Sequence, residues 1–180
     1  MTKLIFQAVV APWLTRIGAS LLIVLLIAAA SVPAAQAAER GSVTNLPLPR
    51  YVSIKSNEVN VRRGPSLTHR IDWVFNRRDM PVQITAEHGH WRRVVDRDGA
   101  GGWVHYSLLS GTRTVIVDED MLPLLSRPVP DAPATAKLEL GVVARLDNCS
   151  EDWCRLSAGG HRGWAPKTAL WGVEADELRQ

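Results

Sequence analysis

Two cysteines, Cys149 and Cys154, are the only ones in this chain of 180 residues, and both lie in the stretch NCSEDWCR. A thiolate can act as a nucleophile or as a metal ligand, and two thiols can close a disulfide. Neither cysteine begins a predicted helix, where a thiolate would be stabilised. The residues alone leave a reactive pair, a metal clip and a structural disulfide open, and the compartment and the backbone geometry must decide among them.

Histidines offer a second possible chemistry, because the stretch EHGHW places His88 and His90 two residues apart. Two imidazoles at this spacing can face one side of a strand, but a metal site needs a third or fourth ligand. Both residues flank Gly89 in a predicted turn, which favours exposed turn residues over a metal site. The other histidines share no common motif: His69, His105 and His161.

Paired carboxylates are the third candidate for chemistry, as general acids and bases. Asp96 with Asp98 and Glu119 with Asp120 lie in predicted turns or near a boundary between segments. A catalytic site also needs a nucleophile with a base within reach, and no stretch of the sequence suggests one. We therefore predict no catalytic residue, no metal and no cofactor, and expect that the chain is not an enzyme.

The beginning of the chain is typical of a secretory signal peptide. Lys3 and Arg16 are the only charged residues before Glu39, and Ile17–Ala30 is apolar or small throughout. This stretch is shorter than the roughly 20 residues that span a bilayer. We predict a signal peptide over residues 1–37, and the alternative is a retained membrane anchor.

A cleavage site after Ala37 follows from the A-x-A pattern of Ala35 and Ala37. Cleavage there leaves 180 − 37 = 143 residues, which is enough for one ordinary domain or two very small ones. The expected location is the periplasm or the cell envelope, where the environment oxidises thiols.

Charge is distributed unevenly between the two halves of the exported part. Residues 50–110 carry 10 basic and 6 acidic side chains, a net charge of +4, whereas residues 118–180 carry 7 basic and 11 acidic ones, a net charge of −4. The first half therefore suits anionic partners, although each half could simply have a solvated charged surface. Nucleic acid is not an expected partner, because the chain lacks a sustained basic stripe with interleaved aromatic residues.

Short apolar runs, bounded by Gly, Pro, Asp or Asn, predict strands and an all-β fold. The runs are VNVR, MPVQITA, WRRVV, GGWVH and TVIV. Before them, residues 38–49 are polar and contain proline, and we predict a flexible lead-in there.

The runs repeat. A shift of 153 − 91 = 62 places Trp91 on Trp153, and the loss of one residue then places Gly102-Trp103 on Gly163-Trp164. Each copy has an apolar strand, a tight turn, a strand that begins with Trp, a Gly-rich turn and a Gly-Trp strand. A twisted meander of this size must curl to cover its apolar face, which predicts two small barrels.

The first copy resembles the bacterial SH3-like domain, SH3b, through VNVRRGPS, the W-x-x-V strand Trp91–Val94 and GGWVH. The second copy matches in DWCRLSAGGHRGWAP but lacks the N-V-R-x-G-P run at its start. The resemblance implies two SH3-like barrels in tandem, over residues 50–117 and, in divergent form, 118–175. It also implies an exported binding module of the kind that acts on cell-wall peptides or targets an enzyme to peptidoglycan.

Tryptophan is abundant after the signal segment, and two interpretations stay open. The tryptophans could fill the barrel cores, as we predict for Trp103 and Trp164 after their glycines. Others could line an open groove for an extended peptide. The candidate groove residues are Arg62, Arg63, Trp73, Trp91 and Tyr106.

The main hypothesis is a non-catalytic module that recognises a peptide or peptidoglycan stem-peptide material. The alternative is a protein–protein interaction scaffold of the cell envelope without a cell-wall ligand, and the remote alternative is a cell-wall amidase or peptidase. A membrane is a partner only if residues 1–37 are retained.

The repeat also bears on the cysteines. Shifted back by 62, Cys149 falls on Glu87 and Cys154 on Arg92, on either side of the same turn. Opposed positions on a hairpin suit an ion pair as well as a disulfide. Because export leads to an oxidising compartment, we predict a Cys149–Cys154 disulfide.

Overall fold

A computed structural model of the chain describes residues 39–180. The predicted signal peptide, residues 1–37, lies outside the described residues and stays a prediction. Within residues 39–180, no helix has the length and apolar character needed to cross a membrane.

The described part is built from short strands and two single-turn 3₁₀ helices, Tyr106–Leu108 and Lys167–Ala169. The strands, in chain order, are β1 Glu39–Arg40, β2 Pro47–Leu48, β3 Arg50–Ile54, β4 Val59–Arg62, β5 Ile71–Phe75, β6 Pro81–His88, β7 Trp91–Val95, β8 Gly101–His105, β9 Leu109–Ser110, β10 Thr114–Val117, β11 Leu122–Leu125, β12 Ala134–Leu138, β13 Val143–Cys149, β14 Trp153–Ala158, β15 His161–Pro166 and β16 Leu170–Trp171.

Two antiparallel seven-stranded sheets repeat one topology. The first has the order β5-β4-β8-β7-β6-β3-β9, and the second has the order β12-β11-β15-β14-β13-β10-β16. Each position in one sheet is held by the corresponding strand of the other. This confirms the all-β fold with two tandem SH3-like barrels, although the second copy lacks the motif at its start.

The sheet boundary differs from the predicted boundary after Val117. Strand β10 pairs with β13 and β16 of the second sheet, so residues 114–117 belong to the second barrel rather than to a first copy over 50–117. Its four side chains are all buried, as expected for a strand that forms the wall of a core. The TVIV run is therefore the counterpart of β3.

Both barrel interiors are filled mainly by aliphatic side chains, with Phe75 in the first core, and neither contains a buried tryptophan. The fully enclosed residues of the first core include Ile54, Val61, Val82, Val94 and Val104. Those of the second core include Val115, Val117, Leu124, Leu156 and Ala165. Small and branched side chains fit the narrow interior of such a barrel.

None of the six tryptophans in the described residues is buried. The prediction that Trp103 and Trp164 are core residues is therefore wrong. Successive side chains of a strand point to opposite faces, and Val104 and Ala165, which follow them, are fully buried. The tryptophans consequently lie on the outer face.

The predicted flexible lead-in over residues 38–49 differs from the structure. Strands β1 and β2 pair as a hairpin, and Leu48 packs in the first core with 8% of its surface exposed. Backbone N–H groups of Val43 and Thr44 donate to the Glu87 carboxylate at 2.9 and 2.8 Å. The polar segment supplies hydrogen bonds to the buried Glu87 carboxylate. The composition of the segment alone does not reveal this role.

The two barrels belong to one compact unit, Ala38–Gln180. The Thr114 hydroxyl donates to the Asp79 carbonyl at 2.7 Å and lies 2.7 Å from the Ser53 hydroxyl. The rings of Tyr51 and Trp171 meet edge to face with centroids 5.3 Å apart. The buried hydrogen bonds of Ser53 and Thr114 fix the orientation of the barrels as well as their association.

Equivalent hairpins of the two barrels are closed by different chemistry, as the repeat predicted. In the first barrel, Arg92 Nε lies 3.5 Å from Glu87 Oε1. In the second, the predicted disulfide is confirmed, with Cys149 and Cys154 bonded and their Cα atoms 4.1 Å apart. Both pairs face each other across the strands.

Removal of the disulfide by Cys149→Ser with Cys154→Ser is expected to lower the free energy of unfolding by about 2 kcal/mol, because so short a loop restricts the unfolded chain only modestly. Denaturant unfolding measures the change. Reduced wild-type protein is the matched control and should show the same loss, whereas reductant should leave the double variant unchanged. Loss of cooperative unfolding in the variant would contradict this expectation.

Candidate functional site

Outward-facing aromatic and imidazole rings line one face of the first barrel. Trp91 pairs across the strands with His105 on one side and His88 on the other. Because side chains alternate along a strand, Trp103 shares the outer face with His105. We refer to this set of neighbouring rings as the aromatic ridge, which comprises Trp103, His88, Trp91, His105, His90 and Tyr106.

Ring contacts divide the ridge into two groups, which the cross-strand pair of His88 and Trp91 brings together. His88 meets Trp103 edge to face at 6.4 Å between centroids, and Trp91 meets His105 in the same way at 5.6 Å. His105 lies 5.0 Å from Tyr106, and His90 lies 5.6 Å from Tyr106. Edge-to-face and offset arrangements of this kind are favourable for aromatic pairs.

The buried side chain of Arg92 stabilises the turn between β6 and β7, next to the ridge. The buried guanidinium of Arg92 donates to the carbonyls of Gly89 at 2.9 Å and Trp91 at 2.8 Å. It also lies 6.0 Å from the centre of the Tyr106 ring. A backbone N–H of Tyr106 donates to the His90 carbonyl at 2.9 Å, so the rings are displayed on a fixed backbone.

Glu87 lies beneath the same turn, with its side chain fully buried. Burial alone would raise the pKa of its carboxyl group. Hydrogen bonds from the Thr44 hydroxyl and backbone, from Arg50 and from the Val43 backbone outweigh burial and lower the pKa from 4.5 to about 2. The carboxylate therefore stays ionised and ties the lead-in hairpin to the turn that bears the ridge.

A polar cleft of about 210 Å³ opens beside Trp103, at one end of the ridge. Arg63 Nε donates to Asp72 Oδ2 at 3.1 Å, and Arg70 Nε donates to Asp72 Oδ1 at 2.6 Å. These two hydrogen bonds, that of Arg70 above all, lower the pKa of the Asp72 carboxyl. The lining residues are Arg63, Asp72, Arg93, Val95, Gly99, Gly101, Gly102 and Trp103.

The structure separates the five predicted groove residues. Trp91 and Tyr106 lie in the ridge, and Arg63 lies in the polar cleft. Arg62 pairs across strands with Trp103, but its guanidinium donates to the Leu67 and His69 carbonyls at 3.0 and 2.7 Å. The Arg62 guanidinium therefore stabilises the loop that contains Leu67 and His69.

Trp73 lies apart from the ridge. It is 52% exposed on β5, the strand at the edge of the first sheet. Within residues 39–180 its ring makes no aromatic contact with the ridge. Whether it contacts a ligand stays a prediction.

Sequence reasoning missed four members of the ridge. The expectation that His88 and His90 are exposed is confirmed, but the sequence does not indicate that their rings lie beside those of Trp103 and His105. The signal was present in the spacing, because Trp103 and His105 are two residues apart on one strand. In the described part of the chain, no group of three or more His, Cys, Asp and Glu side chains is placed to hold a metal ion.

The equivalent face of the second barrel is partly covered by the C-terminal segment, residues 172–180. Trp153 pairs with Pro166, as Trp91 pairs with His105. The buried Lys167, in the position of Tyr106, donates from Nζ to the carbonyls of Ala175 and Glu177, each at 2.8 Å. Pro166 and Lys167 replace the rings of His105 and Tyr106, so the row of rings is not repeated in the second barrel.

Comparison with known proteins gives the family. The family model for the bacterial SH3 domain matches residues 55–111 and 118–172. No curated protein sequence matches the chain.

Two solved structures share some likeness with the chain. NlpC1 from Trichomonas vaginalis is 14% identical with a TM-score of 0.32, over 73% of this chain and 48% of that one. NlpC2 from the same organism is 16% identical with a TM-score of 0.32, over 68% of this chain and 47% of that one. The chain thus spans about half the length of these structures.

Proposed function

The chain belongs to the bacterial SH3 domain family, with a match in each of its two copies, and we propose that it is an exported, non-catalytic module that binds peptide or peptidoglycan stem-peptide material. The first barrel is the binding copy. Its aromatic ridge contacts the ligand, and the second barrel supports it.

The exposure of the ridge is the observation that supports this proposal. Tyr106 keeps 50% of its surface exposed, and none of the ridge rings belongs to the buried core of the first barrel. The other rings of the ridge are exposed or half-exposed, and neighbouring accessible rings offer a large contact area. Such surfaces are typical of sites that bind extended peptides.

The ridge is also free of the contacts between the barrels. The second barrel is contacted by Tyr51, Ser53 and Asp79. Arg77 donates to the Gly141 carbonyl, and Arg97 pairs with Asp118. None of these residues belongs to the ridge. A ligand can therefore approach the first barrel without separating the two copies.

The absence of catalysis is part of the proposal, and the disulfide supports it. Both thiols of the chain are joined to each other, and a disulfide sulfur is not a nucleophile. Release of muropeptides by wild-type protein, and loss of this release in the Cys149→Ser, Cys154→Ser variant, would contradict this part of the proposal.

Retention on purified peptidoglycan sacculi at low salt tests the binding role. We expect Trp91→Ala and Tyr106→Ala each to weaken retention by up to about tenfold, since a stacked ring contributes about 0.5 to 1.5 kcal/mol beyond its area. Trp153→Ala, at the repeat-equivalent position of Trp91, is the matched control and should bind like the wild type. Thermal unfolding of each variant verifies that it is folded.

A wild-type protein that is not retained by sacculi at low salt would contradict the cell-wall ligand. That result would favour the second candidate, an interaction scaffold of the cell envelope. The opposite net charges of the two halves, +4 over residues 50–110 and −4 over residues 118–180, support this alternative. Such a surface suits a protein partner of complementary charge.

A further inference from the structure

We propose that the polar cleft beside Trp103 is a carboxylate-binding subsite, which holds a carboxylate of the ligand whose chain lies along the aromatic ridge. This inference rests on the proposed function and specifies the chemical class that the binding face accepts. The guanidinium groups of Arg63 and Arg93 are the groups that bind the carboxylate.

Positive charge in the cleft exceeds negative charge. Arg63 and Arg93 line it together with one carboxylate, Asp72. Asp72 already receives hydrogen bonds from Arg63 and from Arg70. Arg93 is exposed and has no ion-pair partner among residues 39–180. The cleft therefore retains an uncompensated guanidinium, the group best suited to bind a carboxylate through two hydrogen bonds.

The shape of the cleft also fits a small anionic group. Three glycines, Gly99, Gly101 and Gly102, form one wall, so no side chain fills the space. The resulting volume of about 210 Å³ accommodates a carboxylate and its nearest substituents.

Trp103 links the cleft to the ridge. It pairs across strands with Arg93 and contacts His88 edge to face. A peptide that stacks on the ridge thus reaches the guanidinium of Arg93 at the Trp103 end. The apolar part of the ligand contacts the rings, and its carboxylate lies beside the arginines.

The second barrel provides an internal comparison. It keeps the pair of Arg155 with Trp164, but Ser126 follows Leu125, the residue that pairs with Trp164, where Arg63 follows Arg62 in the first barrel. Arg162 stands in the position of Gly101, so one of the three wall glycines is replaced. The second barrel therefore keeps the arginine and the tryptophan, but it has no arginine in the position of Arg63 and lacks one glycine of the wall.

Titration with small probes tests the subsite without a peptide ligand. N-acetylalanine carries a free carboxylate, and N-acetylalaninamide lacks it. We expect only the acid to give a saturable shift of the Trp103 indole N–H resonance in NMR spectra of the full protein. Arg93→Gln should weaken this binding at least tenfold, and the matched control Arg155→Gln should leave it unchanged.

The source of the carboxylate is identified by a third probe, N-acetylglutamic acid α-amide, whose only carboxylate is on its side chain. Tighter binding of N-acetylalanine assigns the subsite to a peptide C-terminus, and tighter binding of the third probe assigns it to an acidic side chain. An equal shift by acid and amide, or unchanged binding by Arg93→Gln, would overturn the inference.

The sacculus assay separates this inference from the proposed function. If sacculi retain the protein but the Trp103 resonance does not respond to the acids, the subsite is wrong and the function stands. If the acids bind in the cleft and sacculi do not retain the protein, the cell-wall ligand is wrong and the subsite stands.

Discussion

Replacement of Glu87 by glutamine is expected to lower the free energy of unfolding by about 3 kcal/mol at neutral pH. The reason is the difference between the ordinary carboxyl pKa of 4.5 and the value of about 2 in the folded protein, because each pKa unit corresponds to about 1.4 kcal/mol. The variant also leaves the buried guanidinium of Arg92 without its charged partner. Denaturant unfolding at neutral pH measures the loss.

The pH dependence gives a second, independent measurement. A carboxyl group whose pKa is lowered on folding stabilises the folded state fully above its unfolded pKa. This contribution is lost as the pH falls from about 4.5 towards 2. Wild-type stability should therefore decrease through that window, and the difference between wild type and Glu87→Gln should shrink towards zero.

Glu58→Gln is the matched control, since Glu58 is an exposed carboxylate of the same barrel. Its removal should change the stability by less than about 0.5 kcal/mol, as for most surface substitutions. Equal effects of the two substitutions at neutral pH would contradict the role assigned to Glu87. So would a stability difference between wild type and Glu87→Gln that does not change between pH 4.5 and 2.

Gly102→Ala is expected to destabilise the protein by about 3 kcal/mol, near the upper end of the usual cost of overpacking. Strand β8 approaches β4 closely where the first barrel closes, through the pair Arg62 and Trp103. The new Cβ atom would lie 2.5 Å from the Arg62 carbonyl oxygen and 3.0 Å from Val61 Cγ1. Gly102 also has a φ of 157°, a conformation that L residues rarely adopt.

The equivalent glycine of the second barrel shows that the requirement is general. A Cβ atom on Gly163 would lie 2.7 Å from Leu124 Cβ and 2.9 Å from the Leu125 carbonyl oxygen. Gly111→Ala is the control, because a Cβ atom there meets nothing within 4 Å. Thermal and denaturant unfolding should distinguish Gly102→Ala clearly from Gly111→Ala, and similar stabilities would contradict the closure argument.

The repeat was the most informative feature of the sequence. It predicted two barrels, and it placed Cys149 and Cys154 opposite each other on the same hairpin positions as Glu87 and Arg92. Both pairs face each other in the structure. This inference succeeded because hairpin register depends on local strand and turn lengths, which the alignment of the copies preserves.

The direction of the tryptophans was harder to predict. The glycines before Trp103 and Trp164 suggest that these rings are tightly packed. In the structure it is the glycines that are tightly packed, because each lies against the neighbouring strand where the barrel closes. The ring is thereby directed outward. In strands this short, residues of both faces are apolar, so composition alone does not identify the buried face.

The lead-in was missed for a different reason. Its backbone N–H groups bind a carboxylate 43 and 44 residues further along the chain. Composition identifies polar segments that remain in water, but it does not reveal a polar segment whose partner is distant and buried. The packing of the two barrels, through Ser53 and Thr114, depends on long-range contacts of the same kind.

Edge strand β5 has a consequence for the behaviour of the protein at high concentration. Ile71, Trp73 and Val74 are all more than 40% exposed, and an apolar edge strand is a template for aggregation. Asp72, between them, is bound by Arg63 and Arg70, so charged side chains stand on the edge. Because these arginines also lower the pKa of Asp72, the charges persist into mildly acidic conditions and oppose edge-to-edge association of neighbouring molecules.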